Sequence, residues 1–278
     1  MNPKTERGAS LVEHLRKFNQ IVGAVTEALR EGRIGFSLQH VNSDAGDVLY
    51  SECLGRLVEP DGTVRTTGEF IAFLEATGRV AAFDRHMIGL AFEWLDSHPT
   101  GVLGCNVSAA NISDERHWAA LHDLLFRNRK MASRLVLEIT ESLPIATLPS
   151  AAEFLRSARA LGYKVALDDF GTGYATPEAL LSIPVDMVKV DAFFVQQGRD
   201  QAGRFLYHIV GLASCVAPIV IVEGVETYAQ LEAAKAAGAT HVQGFLLSEP
   251  TLFPVHGGLA KSSAKAIMRS GQLPQFWN

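Results

Sequence analysis

Apolar residues change their spacing along this chain in a regular way. Leu11, Leu15, Phe18, Val22, Val25 and Leu29 recur every three or four residues. This predicts an amphipathic helix over about residues 10–31, stopped by Gly32. Beyond it, short apolar runs alternate with longer stretches of helical period. Runs at 34–41, 48–58, 102–108, 134–140, 164–169, 187–191, 219–224 and 241–245 read as eight strands. Helical patterns fall near 67–78, 82–97, 113–128, 148–161, 177–183, 198–214 and 227–237. Several helix starts are legible: Thr66 to Glu69 and Thr227 to Gln230 have capping-box spacing, and Thr176-Pro177 suits an N-cap and first helical position. Near-continuous apolar strands separated by helices predict a parallel sheet covered by helices. The architecture that fits best is α/β, a (β/α)8 TIM-like barrel with an irregular first strand pairing; an open doubly wound sheet is the alternative. The expected division is an N-terminal helix at 1–31, part of the barrel or packed on it, the barrel at 32–252, and a partly helical tail at 253–278.

Composition narrows the class without changing that picture. Of 278 residues, 47% are hydrophobic and 20% charged, enough apolar material for one large core. A net charge of −5 argues against a surface that coats a nucleic-acid polymer. The three cysteines, Cys53, Cys105 and Cys215, lack CxxC spacing, as expected of a reducing cytoplasm. Residues 1–20 carry scattered charge and no apolar signal core, and no run approaches the roughly 18–20 apolar residues of a membrane span.

The chemistry gathers where the strands end. Glu52 lies on the second expected strand, Asn106 ends the third and Glu138 lies on the fourth. Asp168-Asp169 ends the fifth, Lys189 and Asp191 lie on the sixth, Glu223 ends the seventh, and Gln243 lies on the eighth. In a closed barrel these strand ends open onto one face. Single polar residues there mark only where a strand leaves the core. Glu52, Glu138, Asp168, Asp169 and Glu223 set five carboxylates against one lysine, a chemical bias, because crowded they repel or take up protons. Divalent cations resolve the conflict, and an oxygen-only donor set favours Mg2+ or Mn2+ over zinc. Adjacent aspartates allow one to bridge two ions, the usual apparatus for hydrolysing a phosphodiester.

The run Asp168-Asp169-Phe170-Gly171-Thr172-Gly173-Tyr174 resembles the DDFGTGY signature of EAL-domain cyclic di-GMP phosphodiesterases. So do Asn106-Val107-Ser108, Leu137 to Ser142, Val188 to Asp191, Glu223 to Thr227 and Val242 to Phe245, in order from about 30 to 250. The resemblance implies a barrel that hydrolyses cyclic di-GMP to linear pGpG with two Mg2+ or Mn2+ ions. It implies that Glu52, Asn106, Glu138 and Asp168 hold one ion, and Asp168, Asp169 and Glu223 the other. Lys189 resembles the residue that orients or deprotonates the attacking water. Substrate contacts fall to Arg56, Gln39, Asp191, Gln243 and Gly244. Glu141 is similar to the glutamate that supports the loop at 169–176, a segment linked to dimer contacts. The implied partners are cyclic di-GMP, a second copy of the chain and a regulatory protein.

The match has departures. The naming motif reads Glu52-Cys53-Leu54-Gly55-Arg56, so a glycine interrupts the second strand, where glycine loosens a strand or marks a bulge. On the first strand Leu38 stands at the family's glutamine, and Gln39, one step along, points to the opposite face of a regular strand. Ala192 stands where the family often has arginine. These changes touch substrate grip more than metal chemistry. Two other readings stay open: a cyclic di-GMP receptor without turnover, and a barrel used only for protein interaction. The nine histidines form no HExxH or HxxxH pair, and Gly171-Thr172-Gly173 lacks the ending of a phosphate-binding P-loop.

Overall fold

Ten strands occur in the computed structural model, which describes residues 16, 20–43, 45–140, 149–172, 184–196 and 202–257. They are β1 (Ile34–Ser43), β2 (Val48–Val58), β3 (Val64–Thr66), β4 (Leu103–Val107) and β5 (Leu135–Thr140). After these come β6 (Lys164–Phe170), β7 (Met187–Val190), β8 (Ile219–Val222), β9 (His241–Gln243) and β10 (His256–Gly257). Eight coincide with the apolar runs; β3 and β10, of three residues and two, have no such run to announce them.

Strands β1, β9, β8, β7, β6, β5, β4 and β2 pair in that order, and a β1–β2 pairing closes the ring. From β2 through β4 to β9 every ring contact is parallel, as crossover helices require. Strand β1 runs the other way, pairing antiparallel with β9 so that Val41 faces Gln243. The cause is the short connection from Ser43 to Val48. Four residues hold no crossover helix, so the chain reverses in a hairpin, with Ser43 N donating to Asp47 O at 2.8 Å. Gly46 takes φ 90° there, which its missing side chain permits. The irregular first strand is therefore a consequence of loop length.

Packing distinguishes two compact units. The larger, Leu38–Leu54 with Ala81–Pro250, contains the ring. Its helices include Val80–Ser97, Glu115–Arg127, Pro149–Ala160, Ala202–Ser214 and Tyr228–Ala237. Thr227 opens the last through its capping box, Gln230 N donating to Thr227 Oγ1 at 3.3 Å and Thr227 N to Gln230 Oε1 at 2.9 Å. Short helices at Ala110–Ser113 and Phe193–Gln196 were not expected. The smaller unit comprises Met1–Ser37, Gly55–Val80 and Thr251–Asn278. In it β3 pairs with the end of β2, Arg56 opposite Thr66, and β10 with the start of β1, Gly35 opposite Gly257. A helix occupies 20–31, and Thr66 N donates to Glu69 Oε1 at 2.9 Å in the expected capping box. The expected cap at Thr176-Pro177, the helix at 177–183 and the end of the tail lie outside the described residues. Among the described residues no helix is long and apolar enough to cross a membrane.

The inside of the ring is layered. Val41, Tyr50, Val136, Ala166, Met187 and Ile221 form one buried cluster. Strand side chains alternate with a period of two, so the next inward residue lies two positions along. Those residues are Gln39, Glu52, Glu138, Asp168, Lys189 and Glu223. An apolar floor thus carries a polar layer, each strand supplying a residue to both.

Candidate functional site

The polar layer is organised around one cation. Lys189 Nζ, 1% exposed, lies 3.1 Å from Glu52 Oε2, 3.0 Å from Glu138 Oε2, 3.0 Å from Asp168 Oδ1 and 2.9 Å from Glu223 Oε1. An ammonium has three protons, so four carboxylates cannot all be full hydrogen-bond partners. Burial works against the lysine's charge, yet Asp168, Glu138, Glu223 and Glu52 hold its ionisation well above the ordinary lysine range. As arranged here Lys189 Nζ donates to Glu52 Oε2 and Glu138 Oε2.

The remaining members fill in around Glu52. Asn106 Nδ2 donates to Glu52 Oε1 at 2.9 Å, leaving its amide oxygen for another partner. Gln243 Nε2 donates to Glu52 Oε2 at 2.7 Å and to Gln39 Oε1 at 3.2 Å, and Gln39 Nε2 donates to Ser248 O at 3.0 Å. Gln39 therefore belongs to the layer, and Leu38, one residue earlier, does not. Val41 sits in the floor, which fixes Gln39, and not Leu38, as the inward residue by the period of two. The sequence signal was Val41 itself.

Charge is unevenly settled. Burial opposes ionisation of Glu52, but Lys189 and hydrogen bonds from Gln243 and Asn106 keep it below the usual carboxylate range. Burial, then the charge of Glu52, pushes Glu138 up to about 8. Burial also raises Asp168 and, more strongly, Glu223. Desolvation, then Asp168 and Asp191, brings Asp169 up to about 6. One lysine leaves these carboxylates under-neutralised.

Carboxylate oxygens come together in two groups, Glu52 with Glu138 and Asp168, and Asp168 with Asp169 and Glu223, each within 4.8 Å. Asp168 is common to both. Between Leu167 and Phe170, β6 shifts register against β7, where Leu167 faces Val188 and Phe170 faces Val190. Two residues of β6, Asp168 and Asp169, therefore oppose Lys189 alone, which is a β-bulge. Asp169 takes φ 55°, a conformation that aspartate tolerates better than most residues. The donor set is all oxygen, four carboxylates crowd one ammonium, and several carboxylates favour protons. An all-oxygen set of this kind suits a hard divalent cation.

The other expected contacts are less uniform. Arg56 lies in the smaller unit, its guanidinium donating to Leu252 O at 3.2 Å, Thr251 O at 3.3 Å and Gly55 O at 3.0 Å. Gly55 does not interrupt β2, which runs unbroken from Val48 to Val58. Asp191 Oδ1 accepts from Phe193 N at 2.8 Å at the start of a short helix. Gly244 is buried, and a Cβ there would collide with the Val225 main chain. Cys53 and Cys105 lie against each other, both buried. Glu141 lies outside the described residues.

A family model described as the EAL domain matches residues 22–250. The chain is 31% identical over 206 residues to the signaling protein YkoW of Bacillus subtilis, covering 72% of this chain and 26% of YkoW. It is 28% identical over 240 residues to the bifunctional diguanylate cyclase/cyclic di-GMP phosphodiesterase MucR of Pseudomonas aeruginosa, covering 83% of this chain and 35% of MucR. The chain thus spans about a quarter to a third of the length of these curated relatives. A solved PaMucR phosphodiesterase in complex with c-di-GMP superposes with a TM-score of 0.75 at 26% identity, covering 85% of this chain and 98% of that one.

Proposed function

This chain belongs to the EAL domain family, and on that premise we propose that it is a metal-dependent phosphodiesterase hydrolysing cyclic di-GMP to linear pGpG. Such an activity lowers the second messenger in bacterial signalling. The observation that carries the reading is the pair of carboxylate groups sharing Asp168 above an apolar floor. All the carboxylates and the lysine on which the chemistry depends are present and converge.

In this reading Glu52, Asn106, Glu138 and Asp168 hold one Mg2+ or Mn2+, and Asp168, Asp169 and Glu223 hold a second. Bound ions of this kind supply an activated water and stabilise the leaving oxygen. Lys189, held among the carboxylates, would orient the attacking water by donating to it. Gln243 and Asn106 fix Glu52 by donating to its two oxygens. Gln39, Asp191, Gln243 and Gly244 contribute to the grip on the nucleotide. The working protein is a cytoplasmic homodimer answering to a regulatory protein partner.

The test is purified protein with cyclic di-GMP and Mg2+ or Mn2+, with separation of products. Release of pGpG that stops on chelation is the expected result. Tight nucleotide binding with no pGpG, even with Mn2+ and long incubation, makes the chain a receptor and overturns the enzyme reading.

A further inference from the structure

One member of the floor is polar. Tyr50 precedes Glu52 by two residues on β2, is 1% exposed, and stands among Val41, Val136, Ala166, Met187 and Ile221. Its hydroxyl is buried without a well-aligned hydrogen-bond partner, and so is Glu138 Oε1. An unsatisfied buried polar group is costly, and these two are neighbours. The hydroxyl lies within electrostatic reach of the Glu138 carboxylate. Gly104 makes the space: a Cβ there would collide with Glu138 Oε1 and with the Tyr50 ring. The other carboxylate oxygen, Oε2, accepts from Lys189 Nζ at 3.0 Å. Glu138 thus has one oxygen toward the polar layer and one toward the floor.

We propose that Tyr50 is a positioning residue for Glu138, its hydroxyl donating to Oε1 from below so that Oε2 is the oxygen presented to a cation. The inference rests on the reading of the layer as a divalent-cation site. It extends that reading to a residue whose neighbours in the floor are all aliphatic. Partners behind a ligating carboxylate fix its orientation, and losing one typically weakens metal binding about 10–100-fold.

Tyr50→Phe separates this role from core filling, because the ring stays and only the donor goes. Calorimetric titration of the full chain and of Tyr50→Phe with Mn2+ alone reads the effect without any turnover. Melting curves in chelator report the packing. The expected result is a melting point close to that of the parent and Mn2+ affinity lower by about 10–100-fold. Gly104→Ala, which pushes on the same oxygen from the other side, moves affinity in the same direction. Equal Mn2+ affinity in the parent and Tyr50→Phe overturns the inference. So does an affinity loss that only tracks a loss of folded protein before metal is added. A parent chain that takes up no Mn2+ overturns the metal reading itself, and the parent titration alone reveals that case.

Discussion

Asp168 and Asp169 are consecutive in the chain, yet their carboxylate oxygens lie within 4.8 Å of each other and of Glu223. A regular strand sends neighbouring side chains to opposite faces. The bulge opposite Lys189 cancels that alternation for one step, and the positive φ of Asp169 is the backbone conformation that does it.

Asp169 therefore carries two duties that substitutions can pull apart. Asp169→Asn keeps the side chain's tolerance of the left-handed region, so its melting point stays near that of the parent while hydrolysis falls. Asp169→Ala loses hydrolysis and also about 1–2 kcal/mol of stability. Equal stability of the two variants in chemical denaturation would show that the φ at this position is not what holds the bulge.

Lys189 neutralises the layer when no metal is bound. Removing one partner of a buried charge network costs about 3–5 kcal/mol. Lys189→Met should lose stability on that scale in chelator at neutral pH and regain most of it with Mn2+. With metal it should lose rate by about 10²–10⁴ while retaining nucleotide binding. A variant that hydrolyses like the parent refutes the assigned role.

The carboxylates give stability a pH dependence with a definite sign. Burial and then Glu52 place Glu138 at about 8, and desolvation with Asp168 and Asp191 places Asp169 at about 6. Unfolded carboxyls titrate near about 4. The folded chain thus binds protons that the unfolded chain releases. Their contribution is full below about pH 4 and is lost as pH rises through 6 and then 8. Buried Asp84, pushed to about 6, adds the same sign away from the layer. In chelator the melting point should fall between about pH 5 and pH 8, and saturating Mn2+ should shrink or reverse the slope, because metal binds the ionised forms. Identical slopes with and without Mn2+ would show that the layer does not produce them.

On β1 the inward residue is Gln39, which sets the expectation for substrate grip. Gln39→Leu should weaken nucleotide binding by about 0.5–1.5 kcal/mol, the worth of one hydrogen bond. Leu38→Gln should leave KM where it is. A marked drop in KM for Leu38→Gln would mean that the register of β1 differs from the one described.

The strands were legible because each ring strand is buried on both faces and reads as an apolar run. Their polar ends were legible because Glu52, Glu138, Asp168 and Glu223 interrupt those runs. β3 and β10 were not, since three and two residues have no periodicity to detect. Neither was the bulge: Asp168-Asp169 shows two carboxylates but not that both reach one point, which depends on backbone rotation. Nothing in the sequence marks Tyr50, because the space it shares with Glu138 depends on the absence of a side chain at Gly104, some fifty residues on. Gly55 misled in the other direction, as β2 continues through it from Val48 to Val58.

The antiparallel β1 also sets a timetable for folding. Its hairpin partner β2 is available as soon as residue 58 has been made, whereas its other partner, β9, begins at His241. Local contacts form cheaply and distant ones late. A growing chain therefore has Glu52, Glu138, Asp168 and Lys189 in hand long before Val41 can meet Gln243 and close the ring. Until that last seam forms, Gln39 lacks its neighbour and Glu52 lacks the donor from Gln243. Completion of the acidic layer is thereby tied to completion of the barrel, and a chain interrupted before β9 has neither.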